Sequence, residues 1–192
     1  AHPSYWDREN FGRSELQNRP EQMYQLMLYQ LGAMQALANS QHITLKHVKP
    51  HGSLYNRSAV DMATADAIAQ AVFDCDPCLV LVGLAGSQSL ASAKAKGLQS
   101  LAEGFADRRY TENGLLVPRS QANAMIEDTD EAIAQVISMI ERGNIYCETG
   151  RQIQLLVQTI CLHGDSPHAI SFAKALKYSL QQHHIEISAE LT

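Results

Sequence analysis

The sequence contains no run of about eighteen apolar residues, so no membrane-spanning helix is expected. The N-terminus has no charged-then-apolar signal region either, and a cytoplasmic protein without a membrane partner is the expectation. Basic patches with interleaved aromatics are missing and the formal net charge is -5, which sets nucleic acid aside as a partner. Cys75-Asp76-Pro77-Cys78 has CxxC spacing but lacks a second cysteine pair or a histidine pair at finger spacing. Together with Cys147 and Cys161 these read as free thiols in a reducing compartment. There is no phosphate loop of the GxxxxGK type, so the sequence does not say where a nucleotide would bind. Internal repeats and low-complexity segments are also absent.

What is present is a chain of 192 residues, 45% hydrophobic and 18% charged, the composition of one globular domain spanning 1–192. Pro20 suits a first helical position, and Met23, Leu26, Met27, Leu31, Met34 and Leu37 recur at three- and four-residue steps through Ala38. Ile43 to Val48 alternates as a short strand that Pro50 ends, because proline has no N–H for a ladder. A helix is expected from Ala59 to Phe73, with Ser58 at its start, then a buried strand over Cys78 to Leu84. A small-residue helix to Lys96 closes on Gly97, and a short strand runs from Leu98 to Ala102. Beyond it come a helix from Thr129 to Glu141 between Asp128 and Gly143, and a small hairpin centred on Gly150. A buried strand over Leu155 to Leu162, a helix from Ala169 to His183 and a closing strand at Ile185 to Ile187 complete the expectation. Strands alternating with helices imply an α/β fold with a parallel sheet, open or closed into a barrel.

Polar clusters recur where strands end: His2 to Arg13, Lys49 to Asn56, Glu103 to Arg108 with Arg119, and His163 to Asp165. Loops at the carboxyl ends of parallel strands are where α/β proteins carry their sites. His2, His51 and His163 with Asp165, Glu103 and Asp107 suit a divalent metal, and equally suit acid, base and oxyanion roles. The cations Lys49, Arg13, Arg108 and Arg119 favour an anionic substrate, since an Arg fork grips a carboxylate or phosphate. Asp165 also reads as the N-cap of the last helix.

At these residues the sequence resembles the LamB/YcsF family, whose members are the A component of three-subunit 5-oxoprolinase. The matching stretches are Ala1-His2-Pro3-Ser4-Tyr5 with Asp7-Arg8 and Phe11-Gly12-Arg13, then His47 through Asn56. They continue with Leu81 through Ser87, Phe105-Ala106-Asp107-Arg108 with Leu116-Val117-Pro118-Arg119, and Thr159 through Asp165. The resemblance implies a seven-stranded (β/α) barrel of the deacetylase and glycosidase kind. The family's opening Asn-x-Asp-x-Gly-Glu strand and Cys-Gly-Phe-His-Ala-Gly-Asp loop are not in this sequence, so a barrel incomplete at its N-terminus is expected.

The resemblance also implies a reaction, the ATP-dependent opening of the 5-oxoproline lactam to L-glutamate with two partner subunits, B and C. Lys49, His51, Glu103, Asp107, His163 and Asp165 are then the expected catalytic set, and His2, Arg13, Asn56, Arg108 and Arg119 the expected substrate contacts. ATP is the expected cofactor of the complex, and no metal is assigned. Two rival readings are a metal-dependent amide or carbohydrate N-deacetylase-like hydrolase and a non-catalytic substrate-binding subunit.

Overall fold

A computed structural model of the chain describes residues 1–165 and 168–189. It falls into two compact units, Ala1–Ala102 and Glu103 onwards, each described by itself. Both are mixed α/β with parallel strand pairing.

In the first unit, α1 (Pro20–Ser40) starts with proline at its first position, where the missing N–H costs nothing, and the Gln22 side-chain oxygen accepts from the Arg19 N–H at 2.9 Å. Its Met23, Met27, Leu31 and Ala38 are buried, while Leu37 at the expected end of the stripe is exposed. β1 (His47–Val48) pairs in parallel with β2 (Val80–Leu84), with His47 opposite Val80 and Val48 opposite Leu81. All five β2 residues are buried, as an uninterrupted apolar run requires. Two helices, α2 (Gly52–Val60) and α3 (Met62–Cys75), lie between these strands, and α4 (Gln88–Ala95) follows β2. Met27, Leu54, Ile68, Val72 and Leu81 form the core of this unit with almost no exposed surface. Burying a side chain of this size contributes about 1.5–3 kcal/mol.

The chain passes into the second unit within β3 (Ser100–Phe105), which pairs in parallel with β6 (Thr159–Cys161). A long segment follows β3, drawn into shape by isolated bridges between Arg108 and Met125 and between Tyr110 and Leu116. It leads to α5 (Thr129–Arg142), where the Asp128 carboxylate accepts from the Glu131 N–H and Gly143 ends the helix in the left-handed region. β4 (Asn144–Tyr146) and β5 (Gln152–Gln154) form the expected hairpin, and α6 (Ala169–Gln182) comes last. Ala106, Val136, Ile137, Leu176 and Leu180 are buried together as this unit's core.

Four expectations need correction. The helix expected from Ser58 begins six residues earlier, at Gly52, and breaks at Asp61, whose carboxylate accepts from the Thr64 N–H and caps α3 as a separate helix. β1 covers only two of the six alternating residues, because only His47 and Val48 find partners on β2, and Ile43 is left 60% exposed. β6 is similarly short and only partly buried: Leu155 is anchored by its N–H to the Gly143 carbonyl and Leu156 is exposed, so the apolar run does not continue as a ladder. Ile185 to Ile187 forms no strand; the Ile185 N–H bonds to the Leu180 carbonyl, ending α6, and its side chain packs on the α5–α6 core.

Candidate functional site

Each unit gathers one cluster of the side chains expected to carry chemistry. In the first, β1 and Pro50 bring Lys49 and His51 to the start of α2, where His51 is the N-cap residue. The loop from His2 to Arg13 is seated on this turn by main-chain hydrogen bonds: the His51 N–H bonds to the Pro3 carbonyl at 2.7 Å, and the Ser53 N–H to the Gly12 carbonyl at 2.8 Å. The Ser53 hydroxyl donates to the Arg13 carbonyl at 2.6 Å. Gly52 and Gly12 make this approach possible. Both have positive φ, and a Cβ on Gly52 would fall 2.2 Å from the Gly12 carbonyl oxygen.

Seated this way, the His2 ring lies 4.2 Å from that of His51, centroid to centroid, and Phe11 covers the His2 ring at 4.9 Å. The Arg13 guanidinium lies 5.7 Å from the centre of the Phe11 ring, and Lys49 Nζ lies 5.6 Å from that of the buried Tyr55. Burial, the neighbouring His2 and the Lys49 ammonium together push the His51 imidazole down to about 4. His51 is therefore neutral near pH 7, and its buried Nδ1 makes no hydrogen bond of ordinary geometry. Burial lowers His2 as well. Asn56, expected to contact substrate, is exposed on α2.

In the second unit, Asp107 and His163 are brought together from just beyond the paired ends of β3 and β6. Both Asp107 carboxylate oxygens lie against His163 Nδ1, at 2.8 and 2.9 Å. The Phe105 ring stacks on the imidazole at 5.6 Å. A carboxylate on Nδ1 holds the proton there and leaves the lone pair on Nε2, the arrangement of an imidazole set up as a general base or a metal ligand. Asp107 is buried and His163 half-buried, so one partner is fixed and the other accessible.

Several supporting groups were not evident from the sequence. The Gln135 side-chain amide donates at 3.0 Å to each of the Phe105 and Arg108 carbonyls, clamping the turn that carries Asp107. Its signal was available, since a glutamine sits on the apolar stripe of α5 between Ala132 and Met139. The fully buried Tyr110 hydroxyl accepts from the Phe105 N–H at 2.6 Å. Burial, reinforced by the Glu103 carboxylate, pushes that hydroxyl well above its usual range and keeps it protonated.

Other expected residues have different placements. Glu103 is buried within β3, opposite Thr159, and does not follow the strand. Arg108 is 3% exposed and donates to the Val117 and Ala124 carbonyls, which makes it a tether for the segment after β3. Arg119 is exposed in the turn after Val117. Asp165 is exposed and is not the N-cap of α6, because that helix begins later, with His168 in the cap position. Among the described residues, no three or more His, Cys, Asp or Glu side chains are grouped as a metal would need. Among those residues, too, no helix is long and apolar enough to cross a membrane.

A model of the LamB/YcsF family matches residues 1–191. The chain belongs to the LamB/YcsF family. Within it, the chain is similar to the crystal structure of a lactam utilization protein from Thermus thermophilus, with a TM-score of 0.89 and 37% sequence identity. The match covers 99% of this chain and 76% of that one. Family membership gives the ordered motifs a common origin. It leaves the individual roles of Lys49, His51, Asp107 and His163 to be argued from their surroundings.

Proposed function

We propose that this LamB/YcsF chain hydrolyses a cyclic amide, as the A component of an ATP-dependent 5-oxoprolinase that opens 5-oxo-L-proline to L-glutamate with subunits B and C. The observation that carries the reading is the Asp107–His163 pair, an imidazole whose Nδ1 is held by a carboxylate. The similarity to a lactam utilization protein supports the choice of a lactam as substrate. The implied seven-stranded (β/α) barrel belongs to the same proposal, supported by the parallel pairings of β1 with β2 and of β3 with β6.

In chemical terms a lactam carbonyl is a poor electrophile, and water is a poor nucleophile until it loses a proton. His163 Nε2 takes that proton, and Asp107 stabilises the resulting imidazolium. The hydroxide adds to the carbonyl carbon, the ring C–N bond breaks, and the imidazolium returns its proton to the departing nitrogen. Products are a carboxylate and an amine, the two ends of glutamate. ATP couples to the opening when its terminal phosphoryl group is transferred to the lactam oxygen: the same water addition and C–N cleavage then yield an acyl phosphate and the amine, and hydrolysis of the acyl phosphate to carboxylate and phosphate makes the opening favourable. The Lys49 ammonium and the Arg13 guanidinium supply positive charge of the kind a substrate carboxylate calls for, and His51 a neutral imidazole.

The test is 5-oxoproline-dependent glutamate release by the reconstituted three-subunit complex. Replacing a general base costs about 10²–10⁴ in turnover, so His163→Ala is expected to fall by that factor. Unchanged turnover in His163→Ala, Lys49→Ala and His51→Ala would reduce the chain to one that only delivers substrate. Activity that disappears with a stoichiometric divalent metal would favour the deacetylase-like rival.

A further inference from the structure

One residue of the first cluster has a backbone that demands an explanation. Phe11 sits at φ 60°, in the left-handed region that residues with a side chain rarely occupy, and Gly12 after it is at φ 72°. Its side chain is 64% exposed, so burial does not repay the unfavourable conformation. The turn is held by main-chain bonds, Phe11 N–H to the Arg8 carbonyl and Gly12 N–H to the Asp7 carbonyl at 2.7 Å, and by the Asp7 carboxylate accepting from Asn10 and the Ser14 N–H. Those bonds involve backbone, Asp7 and Asn10, and none requires a ring at position 11. What the ring does contact is His2 on one face and the Arg13 guanidinium at 5.7 Å. Strain of this sort, held in place by its surroundings, is characteristic of functional sites.

We propose that Phe11 is a positioning residue: in a tilted stack of contacts, Arg13–Phe11–His2–His51, its ring meets that of His2 at 58° and holds the His2 ring against that of His51. The His51 N–H is tied to the Pro3 carbonyl, whereas Phe11 is exposed. His2 between them has a main-chain bond to the Gln30 side chain and a long contact from Nδ1 to the Ser4 hydroxyl at 3.3 Å, which restrains its ring from one edge. The Phe11 ring adds a second restraint, because contacts between rings favour a narrow set of orientations, and the Arg13 guanidinium contacts the Phe11 ring in turn. The effect on activity rests on the proposed role of His51 in lactam opening; the positioning itself does not.

Three variants of the full chain decide it: Phe11→Gly removes both ring and strain, Phe11→Leu removes the ring alone, and Phe11→Tyr keeps the ring. The primary readout is the NMR shift of the His51 imidazole protons, which lie against His2 and therefore report the orientation of the His2 ring. Expected are His51 shifts that change in Phe11→Gly and Phe11→Leu and are retained in Phe11→Tyr. The thermal midpoint of Phe11→Gly is expected to rise at the same time. In the reconstituted complex, glutamate release falls about tenfold in Phe11→Gly and Phe11→Leu and is restored in Phe11→Tyr, a loss of orientation of modest size. Imidazole signals unmoved in Phe11→Gly and Phe11→Leu would overturn the positioning role. So would full turnover in both variants where His51→Ala is inactive. If His51→Ala is itself fully active, the reading of lactam opening at His51 is what fails, and the imidazole shifts alone decide the role of Phe11.

Discussion

The two clusters treat their imidazoles in opposite ways. His163 has a carboxylate on one ring nitrogen, which fixes its tautomer and direction and readies it to hold a proton briefly. Among the described residues His51 has no carboxylate hydrogen-bond partner; another imidazole and an ammonium lie near it, and burial drives it to stay uncharged. The first arrangement suits proton transfer, and the second suits a neutral donor or acceptor beside an anionic group. The supports differ too. The His163 pair is braced by side chains, Gln135, Tyr110 and Phe105, whereas the His51 cluster is braced mostly by main-chain bonds and two glycines. Side-chain bracing is lost by truncation, backbone bracing by adding atoms.

That contrast can be broken most strongly at Asp107. Asp107→Asn keeps the shape but removes the charge that stabilises an imidazolium, and a carboxylate-to-carboxamide change behind a general-base histidine costs up to about 10⁴-fold. Glutamate release is expected to fall by that factor, with the thermal midpoint little changed. Next in size is Gly52→Ala, which sets a Cβ 2.2 Å from the Gly12 carbonyl oxygen at positive φ. The strained backbone and the clash together are expected to cost about 2–4 kcal/mol in denaturant unfolding. Gly150→Ala in the β4–β5 hairpin is the control. It has the same sign of φ with nothing within 4 Å, and costs only about 1–2 kcal/mol for the backbone alone.

A pH series distinguishes the two imidazoles more finely. His51 is held near 4 in the folded chain against an ordinary value of 6.5, so between these two pH values the unfolded chain binds the extra proton and the folded chain does not. Stability from this group is fully present above pH 6.5 and is lost as pH falls towards 4. Urea unfolding of wild type and His51→Asn is expected to diverge at pH 7 and to converge towards pH 4. Parallel curves across that range would remove the buried neutral imidazole from the account.

The regular elements were legible where pattern and punctuation agreed. Pro20 with the methionine stripe gave α1, Asp128 and Gly143 gave α5, and the unbroken apolar run gave β2. Sequence reading failed where a pattern of side chains was taken for a pattern of pairing, as at Ile43 and Leu156, which share the hydrophobicity of the strands but not their partners. It failed again at Gly52, six residues before the expected helix start at Ser58, because the glycine serves a close backbone approach while the residues after it are already helical. For the sites, residue types were legible and partnerships were not. Asp107 and His163 are 56 residues apart, and nothing local marks them as a pair. Arg108 has the chemistry of a substrate clamp, but its burial and its bonds to the Val117 and Ala124 carbonyls are not written in its residue type. Phe11 was visible only as an aromatic in a polar loop, since its backbone angle is a property of the turn from Asp7 to Arg13.

The smallest effect bears on that last residue and separates stability from function. Left-handed backbone costs a residue with a side chain about 1–2 kcal/mol relative to glycine. Glycine also loses more entropy on folding, which takes back about 0.5–1 kcal/mol. Phe11→Gly is therefore expected to stabilise the fold by about 0–1.5 kcal/mol, read as a higher urea midpoint with an unchanged slope. The ring contributes little to set against this, because it is mostly exposed and its contacts are with other polar rings and a guanidinium. A gain in stability together with a loss of turnover would mark position 11 as one where the fold carries strain for the cluster beside it. A fall in stability would mean that the stack, despite its exposure, holds the loop in place.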